Sequence, residues 1–367
     1  MTLLSSRIDL DAIAQNIRTI KQQVGPATRL MCVVKADAYG HGMQRVAPIM
    51  DRAGADTFGV ATVDEAVKLR ELGINKPIVA WIWEADEDLS EVLAHNIEVA
   101  VPSMEHAQAL VDAEIPAKVT IKVDSGMHRS GVNEANWREV FVLLRDAAHI
   151  TVTGLMSHLA CADEPDDPYT DVQAESFRRA IELAREIGLE CPVNHLANSA
   201  AALSRPDLAF DQVRVGLACY GLEPIRGRSH SLKPAMTWVG NLVTVKEISA
   251  GDAVSYGQTW RADSAGYIGI VACGYADGLP RAAQGKLAVG IAGKLYPQIG
   301  RVCMDQIVID LGENPFGVSS GDEAVIFGTG GMSATELAEE LGTINYEIVC
   351  LPHGRSERTF EGGVHFD

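Results

Sequence analysis

A lysine at the end of an apolar run is the first residue of this sequence that could do covalent chemistry. Residues 31–34 are apolar, Lys35 follows, and the polar, glycine-rich stretch 36–42 comes next with Tyr39 inside it. An apolar run bounded by turn residues indicates a buried strand. A lysine held among apolar neighbours can lose its proton near neutral pH and act as a nucleophile. The alternative is a lysine that ends a strand and reaches solvent along its aliphatic stem.

The same stretch carries a resemblance to a known family. Val-Val-Lys-Ala-Asp-Ala-Tyr-Gly-His-Gly, residues 33–42, resembles the cofactor-lysine motif of the alanine racemases, which are pyridoxal-phosphate enzymes. The motif is long and ungapped, and similar segments follow in the expected order from about Ile8 to Arg358. The resemblance implies that the chain binds pyridoxal 5'-phosphate at Lys35 and interconverts L- and D-alanine. It also implies that the product supplies D-alanine for peptidoglycan.

Composition limits the partners and the compartment. The 367 residues carry a formal net charge of −18, which argues against nucleic acid or an anionic membrane as a partner. No apolar run approaches the roughly 20 residues of a membrane span, and the N-terminus lacks the basic and apolar regions of a signal peptide. The seven cysteines form no Cys-x-x-Cys pair. We therefore expect free thiols in a reducing cytoplasm, with neither a disulfide framework nor a metal site.

Alternating strand and helix patterns position the lysine within a larger α/β fold. The predicted helices cover residues 9–24, 43–51, 64–72, 89–95, 103–113, 133–147 and 171–187. The predicted strands cover residues 31–34, 57–62, 77–83, 97–101, 118–123, 150–158, 192–196 and 212–215. Eight strands joined by helices predict an N-terminal (β/α)8 TIM-like barrel. A doubly wound open sheet is the alternative, disfavoured because no Gly-x-Gly-x-x-Gly follows the first strand.

The last third of the chain has a different pattern, with short strands in place of alternating strands and helices. A polar, basic segment at residues 223–234 is the predicted linker, so we expect a barrel domain over residues 1–230 and a second domain over residues 231–367. Short β patterns in the second domain predict a mainly antiparallel β domain, with strands over residues 237–248, 266–272, 286–291, 294–297, 306–311 and 323–327. One helix is predicted over residues 333–341, where Ser333 and Glu336 form a capping box. Residues 3–8 are a further strand that could pair with this domain.

Barrel enzymes place their chemistry at the C-terminal ends of the strands, so polar residues there are candidates. Arg129 follows the fifth strand and is either a carboxylate clamp or a surface ion pair. His158 ends the sixth strand and is either functional or a satisfied core histidine. Ser199 and Gly216 follow the seventh and eighth strands, where barrels commonly bind phosphate. Ser199 could also be a plain helix N-cap, and the two roles are compatible.

The resemblance assigns roles to several of these residues. It implies that the phosphate is bound by Tyr39, Ser199, Tyr346 and the backbone of Gly216 and Leu217. It further implies that Arg214 faces the pyridine nitrogen and that His158 belongs to the cofactor surroundings. Because a guanidinium stays protonated, the ring nitrogen facing it should stay unprotonated, which favours racemisation over transamination. Decarboxylases and aminotransferases commonly place an acid at that position.

The resemblance also implies a second base and a shared site. Lys35 and Tyr256 would act on opposite faces of the substrate, and the β domain would complete the active site of the other subunit in a homodimer. Because the usual tyrosine pKa of about 10 is high for a base, a chain through His158 to Arg214 would supply positive charge. Arg129 and the backbone of Met304 would bind the substrate carboxylate. The resemblance further implies a role for Lys122, which could be carbamylated, and supporting roles for Asp305 and Tyr275. It also implies that Asp163, Arg281 and Arg301 line the substrate channel.

Two departures from the family pattern and two alternative functions remain. Ser5-Ser6-Arg7 stands where the family usually has an aromatic residue, and Arg355-Ser-Glu-Arg358 replaces a more apolar Arg-Val-Pro-Arg-like end. We expect both to affect local packing or the dimer surface and to leave the chemistry untouched. A non-catalytic pyridoxal-phosphate carrier barrel would lack the β domain. A decarboxylase of the same barrel class is disfavoured by Arg214 and Arg129.

Overall fold

A parallel sheet and a mainly antiparallel sheet make up the computed structural model, which describes residues 2–363. The helical segments are α1 (Leu10–Val24), α2 (Lys35–Tyr39), α3 (Met43–Ala53), α4 (Val63–Glu71), α5 (Ser90–Ala94), α6 (Met104–Asp112), α7 (Trp137–Asp146), α8 (Tyr169–Glu186), α9 (Ser199–Ser204), α10 (Ala334–Leu341) and α11 (Asn345–Cys350). The strands of the first half are β1 (Leu4–Asp9), β2 (Arg29–Val33), β3 (Thr57–Thr62), β4 (Ile78–Ile82), β5 (Glu98–Val101), β6 (Ala117–Lys122), β7 (Ile150–Met156) and β8 (Gln212–Val215). The remaining strands are β9 (Met236–Ile248), β10 (Ala253–Val254), β11 (Trp260–Arg261), β12 (Gly266–Val271), β13 (Ala288–Ile291), β14 (Lys294–Ile299), β15 (Ile307–Gly312), β16 (Glu323–Phe327) and β17 (Glu357–Glu361).

The parallel sheet has the order β7-β6-β5-β4-β3-β2-β8, with helices connecting successive strands. Its strands are apolar almost throughout, as expected of parallel strands covered on both faces. The amphipathic helix α1 shows how the covering works, because Ile13, Ile17 and Ile20 are fully buried while Asp9 caps its first turn. The predicted α/β barrel is therefore confirmed as the fold class.

The strand predicted at residues 192–196 is wrong as a regular strand. Among the described residues this segment forms a single β-bridge, between Met156 and His195. It still joins the two edge strands, because Val193 N–H donates to the Thr153 carbonyl at 2.9 Å and Arg214 N–H donates to the Ala197 carbonyl at 2.9 Å. The close approach requires Gly154, where a Cβ atom would collide with the Val193 carbonyl. The ring of hydrogen bonds thus closes around the barrel through seven regular strands and one irregular segment.

The antiparallel sheet closes on itself through one long strand. The first half of β9 pairs with β16 and β1, and its second half pairs with β12. The N-terminal strand β1 lies between β9 and β17, so the predicted pairing of residues 3–8 with the β domain is confirmed. The predicted capping box of Ser333 and Glu336 opens α10 as expected. No helix among residues 2–363 is long and apolar enough to cross a membrane.

Candidate active site

Lys35 lies two residues beyond the end of β2 and begins a left-handed turn. The next four residues, Ala36 to Tyr39, all have φ between 51° and 58° although none is glycine. Left-handed backbone costs a non-glycine residue roughly 1–2 kcal/mol, so the surroundings must hold this turn in place. The sequence pattern predicted a polar turn here and did not predict its handedness.

Three side chains hold the left-handed turn. Asp37 accepts hydrogen bonds from the Met43 N–H and from Arg358 Nη1, both at 2.7 Å. Glu65 accepts a hydrogen bond from the Ala36 N–H at 2.7 Å. Arg358 of the C-terminal segment thus contacts the turn that carries Lys35. Because both arginines of this segment match the family pattern, the contact leaves our expectation for the departing residues, Ser356 and Glu357, a prediction.

Ten of the sequence-predicted residues line one pocket of about 130 Å³ at the C-terminal end of the barrel. These ten are Lys35, Tyr39, Lys122, Arg129, His158, Ser199, Arg214, Gly216, Leu217 and Tyr346. They come from the ends of strands far apart in sequence, which is the usual arrangement of a barrel active site.

Two lysines in the pocket are poised to lose their protons. Burial, with the positive charge of Arg129 adding to it, lowers the pKa of Lys35 below its usual value. The same two causes, burial first, lower the pKa of Lys122 to about 8. Lys35 Nζ lies 5.9 Å from the centre of the Tyr39 ring and 6.0 Å from that of Trp81. The amine is therefore held between two aromatic faces.

Arg214 is buried and fixes two histidines. Its Nη1 donates to the His195 carbonyl at 2.7 Å and lies 3.0 Å from His195 Nδ1, and its Nη2 lies 3.2 Å from His158 Nδ1. Nη2 also donates to two backbone carbonyls, of Ser157 and Leu196. All these bonds use the Nη atoms, so Nε has no partner among the described residues. Burial lowers the pKa of Arg214 to about 10, which still leaves the guanidinium charged at neutral pH.

His158 is neutral and has a defined tautomer. Burial, reinforced by the charge of Arg214, lowers the pKa of His158 to about 3. Because a guanidinium can only donate, His158 Nδ1 is the acceptor and the ring proton is on Nε2. His158 can therefore donate one hydrogen bond from Nε2 into the pocket.

The far end of the pocket is built for close backbone approach. Ser199 Oγ accepts a hydrogen bond from the Gly216 N–H at 3.1 Å, which leaves the serine hydroxyl proton free to donate. A Cβ atom at residue 216 would collide with the Tyr39 hydroxyl, so only glycine fits there. Burial raises the pKa of Tyr346 to about 12, with the charge of Asp163 adding to it. The helix N-cap is Asn198, so the interpretation of Ser199 as the cap is wrong.

The residues predicted on the β domain form a separate cluster away from this pocket. Ser255 Oγ, next to Tyr256, donates to the Arg301 carbonyl at 2.8 Å. Tyr275 N–H donates to the Cys303 carbonyl at 3.0 Å, which joins the two loops. Tyr256 is 71% exposed and Met304 is 52% exposed, both high values for large apolar side chains. Arg281 lies in a short 3-10 helix of the same domain.

A charged clamp joins the loops of this cluster. Arg355 Nε donates to the buried carboxylate of Asp277 at 2.7 Å, and its Nη1 donates to Asp305 at 2.7 Å. The other Asp277 oxygen accepts the Gly274 N–H at 2.9 Å. Arg355 thus fixes the loop before Tyr275 relative to the loop that carries Met304. This is a second contact between the C-terminal segment and candidate site residues.

Sequence reasoning missed four residues that line the pocket, namely Val33, Trp81, Met156 and Asn198. Trp81 is the last residue but one of β4, and its ring centre lies 6.0 Å from Lys35 Nζ. The rule that barrel chemistry sits at strand ends would have found it, had that rule been applied to the second, third and fourth predicted strands.

Comparisons with known proteins agree along the whole chain. The family models for the N-terminal and C-terminal domains of alanine racemase match residues 8–224 and 235–360. Alanine racemase of Corynebacterium efficiens is 58% identical over 365 residues, covering 99% of each chain. Alanine racemase of Mycobacterium tuberculosis H37Rv is 44% identical over 369 residues, covering 98% of this chain and 96% of the relative.

Solved structures show the same architecture. The crystal structure of alanine racemase from Corynebacterium glutamicum superposes with a TM-score of 0.91 at 52% identity, covering 98% of this chain and 100% of that one. The enzyme from D-cycloserine-producing Streptomyces lavendulae gives a TM-score of 0.94 at 38% identity, covering 99% and 98%.

Proposed function

Because the chain belongs to the alanine racemase family, we propose that it interconverts L- and D-alanine by moving the Cα proton between two bases. The observation that carries this proposal is the pocket in which Lys35, Arg129 and Arg214 meet. The lysine supplies an amine that can be neutral, and Arg129 supplies a guanidinium that can bind a carboxylate with two parallel bonds. These are the groups that a small amino-acid substrate requires.

The pocket residues fit pyridoxal 5'-phosphate, the cofactor that the family implies. Lys35 would hold it covalently, and Tyr39, Ser199, Tyr346 and the backbone at Gly216 and Leu217 would hold its phosphate. The glycine cradle against Tyr39 supports this fit, as does the free hydroxyl proton of Ser199. Arg214 Nε, with no protein partner among the described residues, would face the pyridine nitrogen. When bound, the cofactor would take up the electron pair that proton removal leaves on Cα.

Lys35 is the first base in this proposal. Its lowered pKa keeps part of the amine neutral, so Nζ can accept a proton from Cα on one face of the substrate. A single fixed base would tend to return the proton to the face from which it came. Inversion therefore needs a second group on the opposite face.

Tyr256 is the proposed second base, supplied by the other subunit of a homodimer. In a single chain it lies outside the Lys35 pocket and is mostly exposed, which supports covering by a partner. The Nε2 proton of His158 would donate to the phenol oxygen, and the charge of Arg214 behind it would favour the phenolate. Asp163, Arg281 and Arg301 would line the channel to the shared site.

Carboxylate binding is assigned to Arg129 and the backbone of Met304. Lys122 would orient Arg129 after carbamylation, a reaction that needs a neutral amine. The pKa of Lys122 near 8 gives a neutral fraction that grows as the pH rises through that value. Tyr275 and Asp305 would support Met304 through the clamp at Arg355.

The cellular setting and the domain division are also proposals. D-alanine made in the cytoplasm would supply peptidoglycan synthesis. The chain would divide near residue 230, within the irregular segment that joins residue 220 to β9.

The test is an interconversion assay on purified, pyridoxal-phosphate-supplied protein across a panel of L-amino acids. We expect rapid formation of D-alanine and slower conversion of larger amino acids. Carbon dioxide release without enantiomer formation would move the chain to the decarboxylase class, and bound cofactor with no turnover would move it to the carrier class. Borohydride trapping followed by peptide mapping should locate the cofactor on Lys35. Lys122→Met is the matched control and should retain that label.

A further inference from the structure

A second pocket, of about 320 Å³, lies between the barrel and the β domain and shares no lining residue with the proposed catalytic pocket. It is bounded by His41 and Tyr220 from the barrel, by Leu232 of the linker, and by the first turn of α10 at Ser333 and Ala334. Its volume falls within the range of roughly 300–1,000 Å³ that is typical of small-molecule sites. We call it the linker pocket.

His41 brings an unpaired acceptor to the wall of the linker pocket. The side chain is fully buried, and its Nδ1 lies 3.1 Å from the Ala38 carbonyl and 2.9 Å from the Tyr39 carbonyl. Since carbonyls only accept, the ring proton is on Nδ1, and Nε2 on the opposite edge carries a lone pair. No described protein group hydrogen-bonds to Nε2. Burial lowers the pKa of His41 to about 4, so the ring stays neutral and needs a donor from elsewhere.

The other walls define what that donor can be. Glu223 and Glu336 line the pocket, and no lysine or arginine is among the described residues that do, so an anion is disfavoured. The capping box of α10 occupies the N–H groups of Ser333 and Glu336 and leaves those of Ala334 and Thr335, which lack intrahelical acceptors. These two N–H groups need an acceptor, which an ammonium cation cannot supply. A hydroxyl group satisfies both His41 Nε2 and the first turn of α10, since it donates to a histidine nitrogen and accepts from a backbone N–H.

We propose that the linker pocket is a second binding site, for a small neutral molecule with adjacent hydroxyl groups that donates a hydrogen bond to His41 Nε2. An occupant would be coupled to the catalytic pocket through one aromatic ring. The Tyr220 ring lies 4.5 Å from the His41 ring and 4.9 Å from the Tyr39 ring, measured between centroids. Binding at His41 therefore acts on the turn that carries Tyr39.

The test uses holoenzyme labelled with ¹⁵N-histidine and follows the Nε2 resonance of His41, assigned by its loss in His41→Gln. The probe is 1,2-propanediol, and 1,2-dimethoxypropane is the matched control because it has the same backbone and no donor. Ala334→Leu fills the pocket from a buried position and leaves His41 in place. Thr329→Trp covers the pocket from an exposed position and keeps the backbone bond to Thr237, so it serves if the first variant does not fold.

We expect 1,2-propanediol to shift the resonance saturably and the diether to leave it unmoved. The apparent affinity for the diol should fall at least tenfold in either filled variant. If the resonance of probe-free enzyme is already that of a hydrogen-bonded nitrogen and the diol leaves it unmoved, a resident water is the partner and the proposal is overturned. An equal response in the parent and both filled variants would also overturn it.

Discussion

Arg214 Nη2 lies 3.2 Å from His158 Nδ1, so the guanidinium both orients the imidazole and opposes its protonation. In Arg214→Gln we expect the pKa of His158 to rise toward the usual value of about 6.5, because the positive charge is gone while burial remains. An NMR titration of the His158 ring measures this. Arg29→Gln is the matched control, since Arg29 acts on His195 and not on His158. A His158 titration curve that is unchanged in Arg214→Gln would rule out the charge effect.

On acidification, the buried histidines should destabilise the fold at a higher pH than the carboxylates do. The pKa values of His41, His158 and His195 are all lowered by burial, so these rings stay neutral in the folded state while the unfolded chain takes up protons. Stability is therefore full above pH 6.5 and falls below it, by about 1 kcal/mol per histidine per pH unit. Denaturant unfolding at pH 7.5 and pH 5.5 measures the difference. A pH-independent stability would contradict the prediction.

Removing the Tyr256 hydroxyl should stop racemisation without releasing the cofactor. General acid–base catalysis commonly contributes a factor of about 10²–10⁴, so we expect Tyr256→Phe to lose at least about 10² in kcat. Interconversion of both enantiomers and the absorbance of bound cofactor are measured together. Tyr267→Phe removes a hydroxyl whose described partner is Glu247 on the strand surface and should keep the parent rate. If Tyr256→Phe racemises at the parent rate, the two-base assignment is wrong.

The Arg355 clamp should matter for substrate binding more than for turnover. Asp277→Asn replaces one carboxylate oxygen by a donor that faces the Arg355 guanidinium, so the loops that carry Tyr275 and Met304 lose their connection. We expect the KM for alanine to rise several-fold with a smaller change in kcat. Asp305→Asn alters the exposed end of the same clamp and should have a weaker effect. If the KM for alanine in Asp277→Asn equals that of the parent, the clamp does not contribute to binding of the substrate carboxylate.

Ala36→Gly should stabilise the protein even though glycine usually does the opposite. Ala36 is exposed and has a φ of 51°, so glycine relieves left-handed strain of roughly 1–2 kcal/mol and loses about 0.5–1 kcal/mol through greater freedom of the unfolded chain. A net gain of up to about 1.5 kcal/mol is expected in equilibrium unfolding. Ala94→Gly, at the end of α5, is the control and should destabilise. Loss of stability in Ala36→Gly would show that the turn is not strained.

The sequence predicts most of this fold because its signals are local. Periodic apolar spacing located α1, α3 to α8, α10 and seven barrel strands, and the cofactor-lysine motif located Lys35. The eighth strand failed because residues 192–196 meet their neighbours through close backbone contact at Gly154, which no periodicity records. The left-handed turn depends on Arg358, 321 residues from Asp37, and local propensity cannot reveal such a partner.

The candidate site likewise contains some residues that the sequence predicts and others that it does not. Residues at strand ends were predictable from barrel geometry, and Trp81 was within reach of that rule. Tyr256 came only from the resemblance, because an exposed tyrosine beside a glycine turn has no chemical signal of its own. The clamp at Arg355 was not predicted, since its pairing with Asp277 becomes visible only when the two loops are placed together.

The position of β1 in the sheet has a consequence for how the chain is made. This strand is translated long before its neighbours β9 and β17, which begin at Met236 and Glu357. At about 5–20 residues per second, more than 200 residues of translation separate β1 from β9, which is roughly 10–45 s. During that time the nascent strand has no sheet to join, and its unpaired edges are open to other chains. Slow translation should therefore favour aggregation, and chaperones that bind the first ten residues should raise the yield.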